Sequence, residues 1–526
     1  MPVVRVAAAV DLAEGEMQEI EVEGTKLLLS NVGGQFYATS AFCTHYGAPL
    51  ATGVLAGPKV ICPWHHAVFD VTDGALDEPP ALDDLARFNA TVEGGEVFVD
   101  LPEDGVGDGV APHQGCVPAM VDRDFDADSR TFVIVGGGAA GQAAAETLRQ
   151  VGFQGRVVLV TDAGGRPIDR TKLSKGYLSG ASRDSLPLRA PDFFERYGIE
   201  LRTQHRVATL DVDAKTLHFA GSGDGAAPEP LRYDAALLAT GGTPRRLGIP
   251  GTDLDGVFLL RSTEDATQIV EAAEAGQSAI VIGTGFIGME AAAALIGRGL
   301  SVTVVGIEAV PFERILGSEV GRVFQDLHEE NGVAFRMEAS ADAVSKTDGG
   351  LRLTLGDGPT LDADFIVMGV GVTPATDFLE GLPMDDRGAL VADANLQIGP
   401  DLYAAGDIAS YPEARLGERV RIEHWRLAQQ HGRIAARNMA GQAVPFEAVP
   451  YFWSGQLGMN LRYLGHAKSW DEILIDGSLD DRQFVAYYVK DGRVIAAAGV
   501  KRDKVIASLH AHWMTGGTTS ADEVRG

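Results

Sequence analysis

The sequence predicts a multidomain chain that opens with a small all-β domain built around a metal centre and continues into two α/β dinucleotide-binding domains. Three observations carry this. Two cysteines and two histidines between Cys43 and His65 follow a fixed rhythm: C-x-H, sixteen residues, then C-x-x-H. A G-x-G-x-x-G turn stands between an apolar strand and an Ala-rich helix twice, first from Gly136 and again from Gly283. Beyond these, "QFVAYYVKDGRVIAAAGV" reads as a hairpin turning at Asp491-Gly492.

The 526 residues leave room for several domains, and 45% hydrophobic with 22% charged residues is ordinary globular composition. The net charge of −29, from 44 basic and 73 acidic side chains, repels phosphate backbones, so no nucleic-acid partner is expected. It favours solubility and attracts basic partners. No apolar run reaches the roughly 18 residues of a transmembrane helix, and the N-terminus lacks a clear cleavage site, so neither a membrane span nor a signal peptide is expected. Three cysteines do not make a disulfide framework, and the expected location is a reducing, cytoplasmic one.

The metal-site stretch reads "CTHYGAPLATG…CPWHHAVFD". Each short loop offers two ligands to one side. Zinc accepts such a Cys2His2 set; so does a Rieske [2Fe–2S] cluster, with two cysteines on one iron and two histidines on the other. Gly47, Pro49, Gly53 and Pro63 mark the ligand pairs as loop tips rather than parts of a finger helix. The flanking segments "TKLLLSNVGGQFYATS", "HAVFDVTDGAL" and "GEVFVDL" alternate as antiparallel strands do. These surroundings favour the cluster. Residues 1–102 resemble the Rieske family, which implies Cys43, His45, Cys62 and His65 as the metal ligands. A Gly usually follows the second ligand histidine in that family; His66 stands there and is expected to face solvent. High-potential members carry an extra disulfide at the positions of Ala48 and Trp64, so the resemblance implies a lower-potential, ferredoxin-type centre.

Residues 103–128 are rich in Gly, Asp and Pro without periodicity and read as a linker, slack enough to let the first domain swing. Cys116 lies there alone, a free thiol with no catalytic role expected. The first cradle follows in "TFVIVGGGAAGQAAAETLRQVG". Gly136 makes the turn, Gly138 admits a pyrophosphate, Gly141 lets helix pack on strand, and Ala139 and Ala140 open the helix toward the phosphates. The next strand ends at Asp162, the ribose-binding position. The second cradle, "SAIVIGTGFIGMEAAAALIGRG", repeats the pattern with Gly283, Gly285, Phe286, Ile287 and Gly288.

From about 129 to 443 the chain resembles the glutathione-reductase-like flavoproteins, and more closely the ferredoxin-reductase and apoptosis-inducing-factor branch. The stretches carrying this are the cradles, "YDAALLATGGTPRRLGIPG", "LYAAGDIA", "PIDRTKLSKGYL" and "RIEHWRLAQQHGRIAARNMAG". Rieske-bearing relatives of apoptosis-inducing factor share the domain order. The resemblance implies FAD on the first cradle, contacted also by Ala239, Thr240, Gly241, Arg170 at the pyrophosphate, Asp407 at the ribityl chain, and Trp425 and Trp453 beside the ring. It implies NADH, with NADPH possible, on the second cradle, with Gly371 nearby. Lys175 is implied near the flavin N5, paired with Glu290, a lone acid in the apolar helix "FIGMEAAAALIG".

The implied fold is an N-terminal all-β Rieske [2Fe–2S] domain (1–102), α/β FAD (129–250 and 375–443) and NAD(P)H (251–374) domains, a small α+β C-terminal domain (444–512) and a tail (513–526).

Two departures refine this reading. No cysteine follows Cys116, so the thiol–disulfide chemistry of other superfamily members is excluded. The strand "VTVVGIE" has Gly306 where the branch usually has the NADH-ribose glutamate; Glu308 is expected to substitute, and NADH is favoured over NADPH. The expected function is an FAD-dependent NAD(P)H oxidoreductase passing electrons to its own cluster, or to a separate ferredoxin, cytochrome or oxygenase component. The alternative is a redox-switched interaction protein whose association responds to NADH. Oligomeric state is not read from the sequence.

Overall fold

A computed structural model of the chain describes residues 3–101, 115–221, 226–356 and 358–525. Residues 103–114 of the expected linker lie outside the described residues.

The N-terminal part is all β. Val3–Ala8, Glu96–Asp100 and Ala90–Glu93 form one small antiparallel sheet, and Met17–Val22, Thr25–Val32, Gln35–Ser40 and Arg87–Phe88 a second. The third, Val54–Ala56, Lys59–Ile61, Val68–Asp70 and Leu76–Glu78, carries the second ligand loop between its two middle strands. Strand alternation divides the interior. Leu27 and Leu29 enter one core with Phe36, Val97 and Val99; Leu28 points the other way, into the core that holds Cys43 and Cys62.

The first dinucleotide sheet runs in the order Ile199–Arg202, Arg156–Val160, Thr131–Val135, Ala235–Leu238, Leu402–Ala404, Gln397–Gly399. Its first five strands are parallel and the edge strand is antiparallel. The second sheet, all parallel, runs Val257–Leu259, Phe365–Met368, Ser278–Ile282, Ser301–Val305, Ala334–Arg336. In each sheet the glycine turn follows an inner strand whose neighbours lead away to opposite sides, the crevice where such sheets bind ligands. The first sheet takes strands from both sides of the second in sequence, and the paired strands Gly242–Pro244 and Val372–Pro374 are the crossover.

The C-terminal part is a five-stranded antiparallel sheet covered by the helix Asp503–Met514. Its hairpin closes at Asp491 (φ 50°) and Gly492 (φ 73°), with Lys490 opposite Arg493. The chain past 512 packs as part of this unit rather than as a tail. Trp513 is buried, Ala521 N–H donates to Gly492 O, and Ala521–Arg525 is helical, because burying Trp513 and Ala521 removes apolar surface from water. Among the described residues, no helix is long and apolar enough to cross a membrane.

Candidate functional site

The two ligand loops are built alike. Gly47 N–H donates to Cys43 O (2.9 Å) and His66 N–H to Cys62 O (3.2 Å); Cys43 N–H and Cys62 N–H donate to Ala48 O and Ala67 O, each at 2.9 Å. The fourth residue after each cysteine is left-handed, Gly47 at φ 77° and His66 at φ 56°. This geometry pairs the ligands. Both thiols are buried, and His45 Nδ1 lies 3.1 Å from His65 Nδ1. Among the described residues no three such side chains converge as a single-ion site. Two thiols on one side and two imidazoles on the other suit a binuclear [2Fe–2S] centre, whose irons each take two protein ligands. Burial lowers the His45 pKa to about 4 and holds that of His65 well below its ordinary value, so both rings are neutral, the form that binds metal.

His66 does not face solvent. It is fully buried, stacked on Tyr451 at 3.9 Å, with its Nδ1 2.8 Å from His510 Nδ1. The cause is the docking of the whole domain, which also replaces the swinging arrangement expected from a slack linker. Tyr451 OH donates to Trp64 O (2.9 Å) and Tyr46 OH to Asp169. Arg189 bridges Glu146 in the flavoprotein part to Asp83 and Leu82 O in the β domain. One face of the helix Trp425–Met439 grips the same edge: Arg426 Nε donates to Pro79 O (2.7 Å), and Arg433 to Asp77 O (2.8 Å) and Leu76 O (3.1 Å). Cys116 is exposed, and its backbone pairs with Asp84.

The strand Tyr451–Gln456 divides two functional groups by its alternation. Tyr451 and Trp453 point to the β domain; the Trp453 ring lies 4.5 Å from that of His65 and 6.0 Å from that of His45. Phe452 and Ser454 point the other way. Phe452 packs on Phe286 (4.7 Å), and Ser454 Oγ donates to Glu290 Oε1 (2.7 Å). Glu290, 4% exposed, also accepts from Ser174 Oγ and from Lys175 Nζ at 2.8 Å. Lys175 sits in a π-helical turn, Leu173–Tyr177, that aims its ammonium inward. Sequence reasoning missed Ser174, Ser454 and Arg462. Arg462, opposite Trp453 in the sheet and 5% exposed, acts electrostatically on Cys62 and His65. Strand alternation read outward from Trp453 would have found Tyr451 on the same face and Ser454 on the opposite one; nothing local marks Arg462.

Both cradles are cut to the same shape. A Cβ on Gly136 would lie 2.1 Å from Ala239 O and one on Gly141 1.8 Å from Gly136 O, while one on Gly138 would meet nothing within 4 Å. In the second, Gly283 and Gly288 are closed by Gly369 O (2.4 Å) and Gly283 O (2.2 Å), and Gly285 is open. The open glycine beside the free N–H groups of a helix start, Ala139-Ala140 or Phe286-Ile287, is room for a pyrophosphate. Around the first cradle Asp162 is exposed, Thr240 Oγ1 donates to Ala375 O, and Gly241 (φ 74°) lies against Arg261, which pairs with Asp407 at 2.9 Å. Arg170 is desolvated beside Arg261, which lowers its pKa to about 10. Trp425 opens its helix half-buried. Around the second, Gly371 O accepts from Arg245 N–H, and Glu308 returns to the glycine turn by accepting from Thr284 Oγ1 (2.8 Å). The residues fit an FAD and a nicotinamide dinucleotide.

Two dinucleotide cradles with a two-plus-two Cys/His centre docked against them define an iron–sulfur flavoprotein oxidoreductase. The pyridine nucleotide-disulphide oxidoreductase family matches residues 130–432, the Rieske [2Fe-2S] domain residues 2–89, and the reductase C-terminal domain residues 451–524. The chain therefore belongs to the pyridine nucleotide-disulphide oxidoreductase family and carries a Rieske domain ahead of it. It is 39% identical to apoptosis-inducing factor 3 of Mus musculus, over 95% of this chain and 82% of that protein. It is 35% identical to rhodocoxin reductase of Rhodococcus erythropolis, over 71% of this chain and 87% of that one. The crystal structure of the ferredoxin reductase for the CYP199A2 system from Rhodopseudomonas palustris superposes with a TM-score of 0.69 at 30% identity, covering 75% of this chain and 96% of that one.

Proposed function

We propose that the protein is an NADH-dependent flavoprotein reductase that passes electrons singly to its own Rieske cluster and from there to an external one-electron acceptor, a ferredoxin, cytochrome or oxygenase component. FAD held at the first cradle would supply hydride acceptance from NADH and release of single electrons, and a [2Fe–2S] cluster held by Cys43, His45, Cys62 and His65 would store one electron. The chain supplies the rest. Gly138 and Gly285 leave room for the two pyrophosphates, Arg170 and Arg261 supply positive charge at the first, and Asp162 and Glu308 bind the riboses. Glu290 holds and aims the Lys175 ammonium through Oε2, which also accepts from Ser174, while Ser454 satisfies Oε1. Domain limits of 1–102, 129–250 with 375–443 and 251–374 accompany this assignment, and the C-terminal domain from 444 extends past 512 to take in Trp513 and Ala521.

The observation that carries the reading is the strand holding Trp453 against His65 on one face and Ser454 against Glu290 on the other. The docked Rieske domain makes the route to the cluster internal. The exposed rings of Tyr46, stacked on His45 at 3.8 Å, and Trp64 form the face met by the external acceptor. The names of rhodocoxin reductase and the ferredoxin reductase support a small redox protein as that acceptor.

Anaerobic NADH added to the purified protein should produce the low-average-g signal of a reduced Rieske centre, one per chain, by electron paramagnetic resonance. A signal raised by dithionite but never by NADH would overturn the internal route, and zinc in place of iron would overturn the centre.

A further inference from the structure

Behind Glu290, three polar side chains line up in a region whose other residues, Phe324, Leu327, Phe452 and Met459 among them, form an apolar core. Phe452, Ser454 and Gln456 point the same way from the strand Tyr451–Gln456 by its alternation. Ser454 Oγ reaches Glu290 Oε1 at 2.7 Å, Gln456 Nε2 reaches Ser454 Oγ at 2.9 Å, and Gln456 Oε1 lies 2.9 Å from His328 Nε2. His328 comes from the helix Glu313–Glu330, which joins Ser301–Val305 to Ala334–Arg336 in the second dinucleotide sheet. Ser454 and His328 are fully buried, and Gln456 is 2% exposed. Only one arrangement of protons serves this line. Glu290 is a carboxylate acceptor, so the single hydroxyl hydrogen of Ser454 goes to it. The Ser454 oxygen then accepts from the amide N–H of Gln456, which turns the amide oxygen to His328 and requires the ring N–H at Nε2. Burial holds the His328 pKa below its ordinary value, so the ring is neutral and Nδ1 bears no hydrogen. Nδ1 has no partner among the described residues, and the opposite tautomer would bury an unmade N–H there. Every donor in the line therefore points toward Glu290.

We propose that Gln456 and His328 are positioning residues for the reduction of the flavin by NADH: acting through Ser454, they hold Glu290 as a fixed carboxylate against Lys175. The inference rests on the NADH-to-flavin step proposed above. With Gln456 in place the Ser454 hydroxyl has one direction left to donate; without it the hydroxyl can rotate off Glu290 and the carboxylate can turn from Lys175. Packing alone would be met more cheaply by apolar side chains, since each buried polar atom here needs its partner.

The test uses the full-length, cofactor-loaded protein. In rapid mixing with saturating NADH, Gln456→Met, of like length but without the amide, should slow flavin reduction roughly fivefold, the loss of one neutral hydrogen bond, with nucleotide affinity unchanged. In a Ser454→Ala background the same substitution should cost nothing further, because the line is already cut. His328→Gln, whose amide nitrogen takes the place of the ring Nε2, should keep the rate, whereas His328→Leu should slow it as Gln456→Met does. Two readings need no nucleotide. Heteronuclear NMR of the ring nitrogens should show His328, assigned by its loss in His328→Gln, as the Nε2–H tautomer. The infrared band of the Glu290 carboxylate, assigned by its loss in Glu290→Gln, should shift in Gln456→Met. An unchanged flavin spectrum reports that each variant is folded; should Gln456→Met fail this, the His328 pair and the tautomer decide. An Nδ1–H tautomer, an unshifted carboxylate band, equal rates for His328→Gln and His328→Leu, or a full additional loss in the Ser454→Ala background would each overturn the inference and leave the proposed function standing. A wild-type flavin that NADH does not reduce would overturn that function and the positioning role with it.

Discussion

The imidazole of His65 and the indole of Trp453 lie 4.5 Å apart, centroid to centroid, across a boundary that joins the first domain of the chain to the last. One neighbour of Trp453 along the strand, Ser454, bonds to Glu290. The strand thus sets the Trp453 ring against the Rieske ligand His65 and the next side chain, Ser454, against the Lys175–Glu290 pair. Trp453→Leu keeps the apolar packing but removes the ring. It should leave flavin reduction by NADH near normal and slow cluster reduction several-fold, read by rapid mixing at separate flavin and cluster wavelengths. Equal rates of cluster reduction would remove Trp453 from the route.

Glu290 is buried, and its oxygens accept from Lys175, Ser174 and Ser454. Glu290→Ala strands the Lys175 ammonium, with its side chain about a quarter exposed, without its partner. Losing a charge-assisted bond of about 2 kcal/mol corresponds to a roughly 30-fold slower flavin reduction by NADH. Glu290→Gln keeps a hydrogen-bond acceptor and should fall between. The ordering of the two variants in single-turnover flavin reduction is the check; if Gln is as slow as Ala, charge alone matters.

Arg462 lies within the field of both Cys62 and His65 and pairs with Asp503 at 3.1 Å. A fixed positive charge near a cluster stabilises the reduced form, which carries one more electron. Arg462→Gln should therefore lower the cluster midpoint potential by tens of millivolts. A redox titration followed by paramagnetic resonance measures it, and a rise in potential would contradict the assigned sign.

His431 is fully buried, and its Nδ1 accepts from Gly406 N–H at 3.2 Å, just before Asp407. Burial lowers its pKa from 6.5 to about 3. Its folded pKa is depressed, so the unfolded chain binds the proton first on acidification. The contribution is fully present above about pH 6.5 and is lost progressively as pH falls toward 3, at about 1.4 kcal/mol per pH unit for this one group. His431→Asn, which retains an acceptor, should flatten the fall in stability between neutral and mildly acid pH in denaturant titrations. An unchanged slope would assign the acid sensitivity to other buried histidines, such as His424.

Local pattern made much of this molecule readable. Each cradle needs its glycines within six residues of chain, and each ligand pair within four, so neighbours in sequence are neighbours in space. The docking was not readable. His66 and His510 meet across 444 residues, and Tyr451 and Trp64 across 387. His66 looks like a surface residue because nothing near it in sequence says that Tyr451 will cover it. Arg426, Gln430, Arg433 and Arg437 do recur at helical spacing, a visible stripe, but Arg426 and Arg433 meet Rieske backbone carbonyls, which leave no mark on side-chain identity.

Gly306 departs from the usual acid for a steric reason that leads to a prediction. A Cβ there would stand 2.3 Å from Thr284 Cγ2, and Thr284 in turn anchors Glu308. On the assignment proposed above, the carboxylate for the adenosine ribose of NADH is therefore delivered two residues later, with Arg314 3.3 Å from its other oxygen. Glu308→Ala should raise KM for NADH roughly tenfold, the cost of one charged hydrogen bond, and leave kcat nearly unchanged. It should affect NADPH less, because the lost acid repels a 2′-phosphate while Arg314 remains. Gly306→Glu should not restore NADH binding in that background unless Thr284 is also reduced to Gly, since the new side chain has no room to enter. Steady-state kinetics with both nucleotides on the three variants decides, and a Glu308→Ala protein with unaltered KM for NADH would place the ribose contact elsewhere.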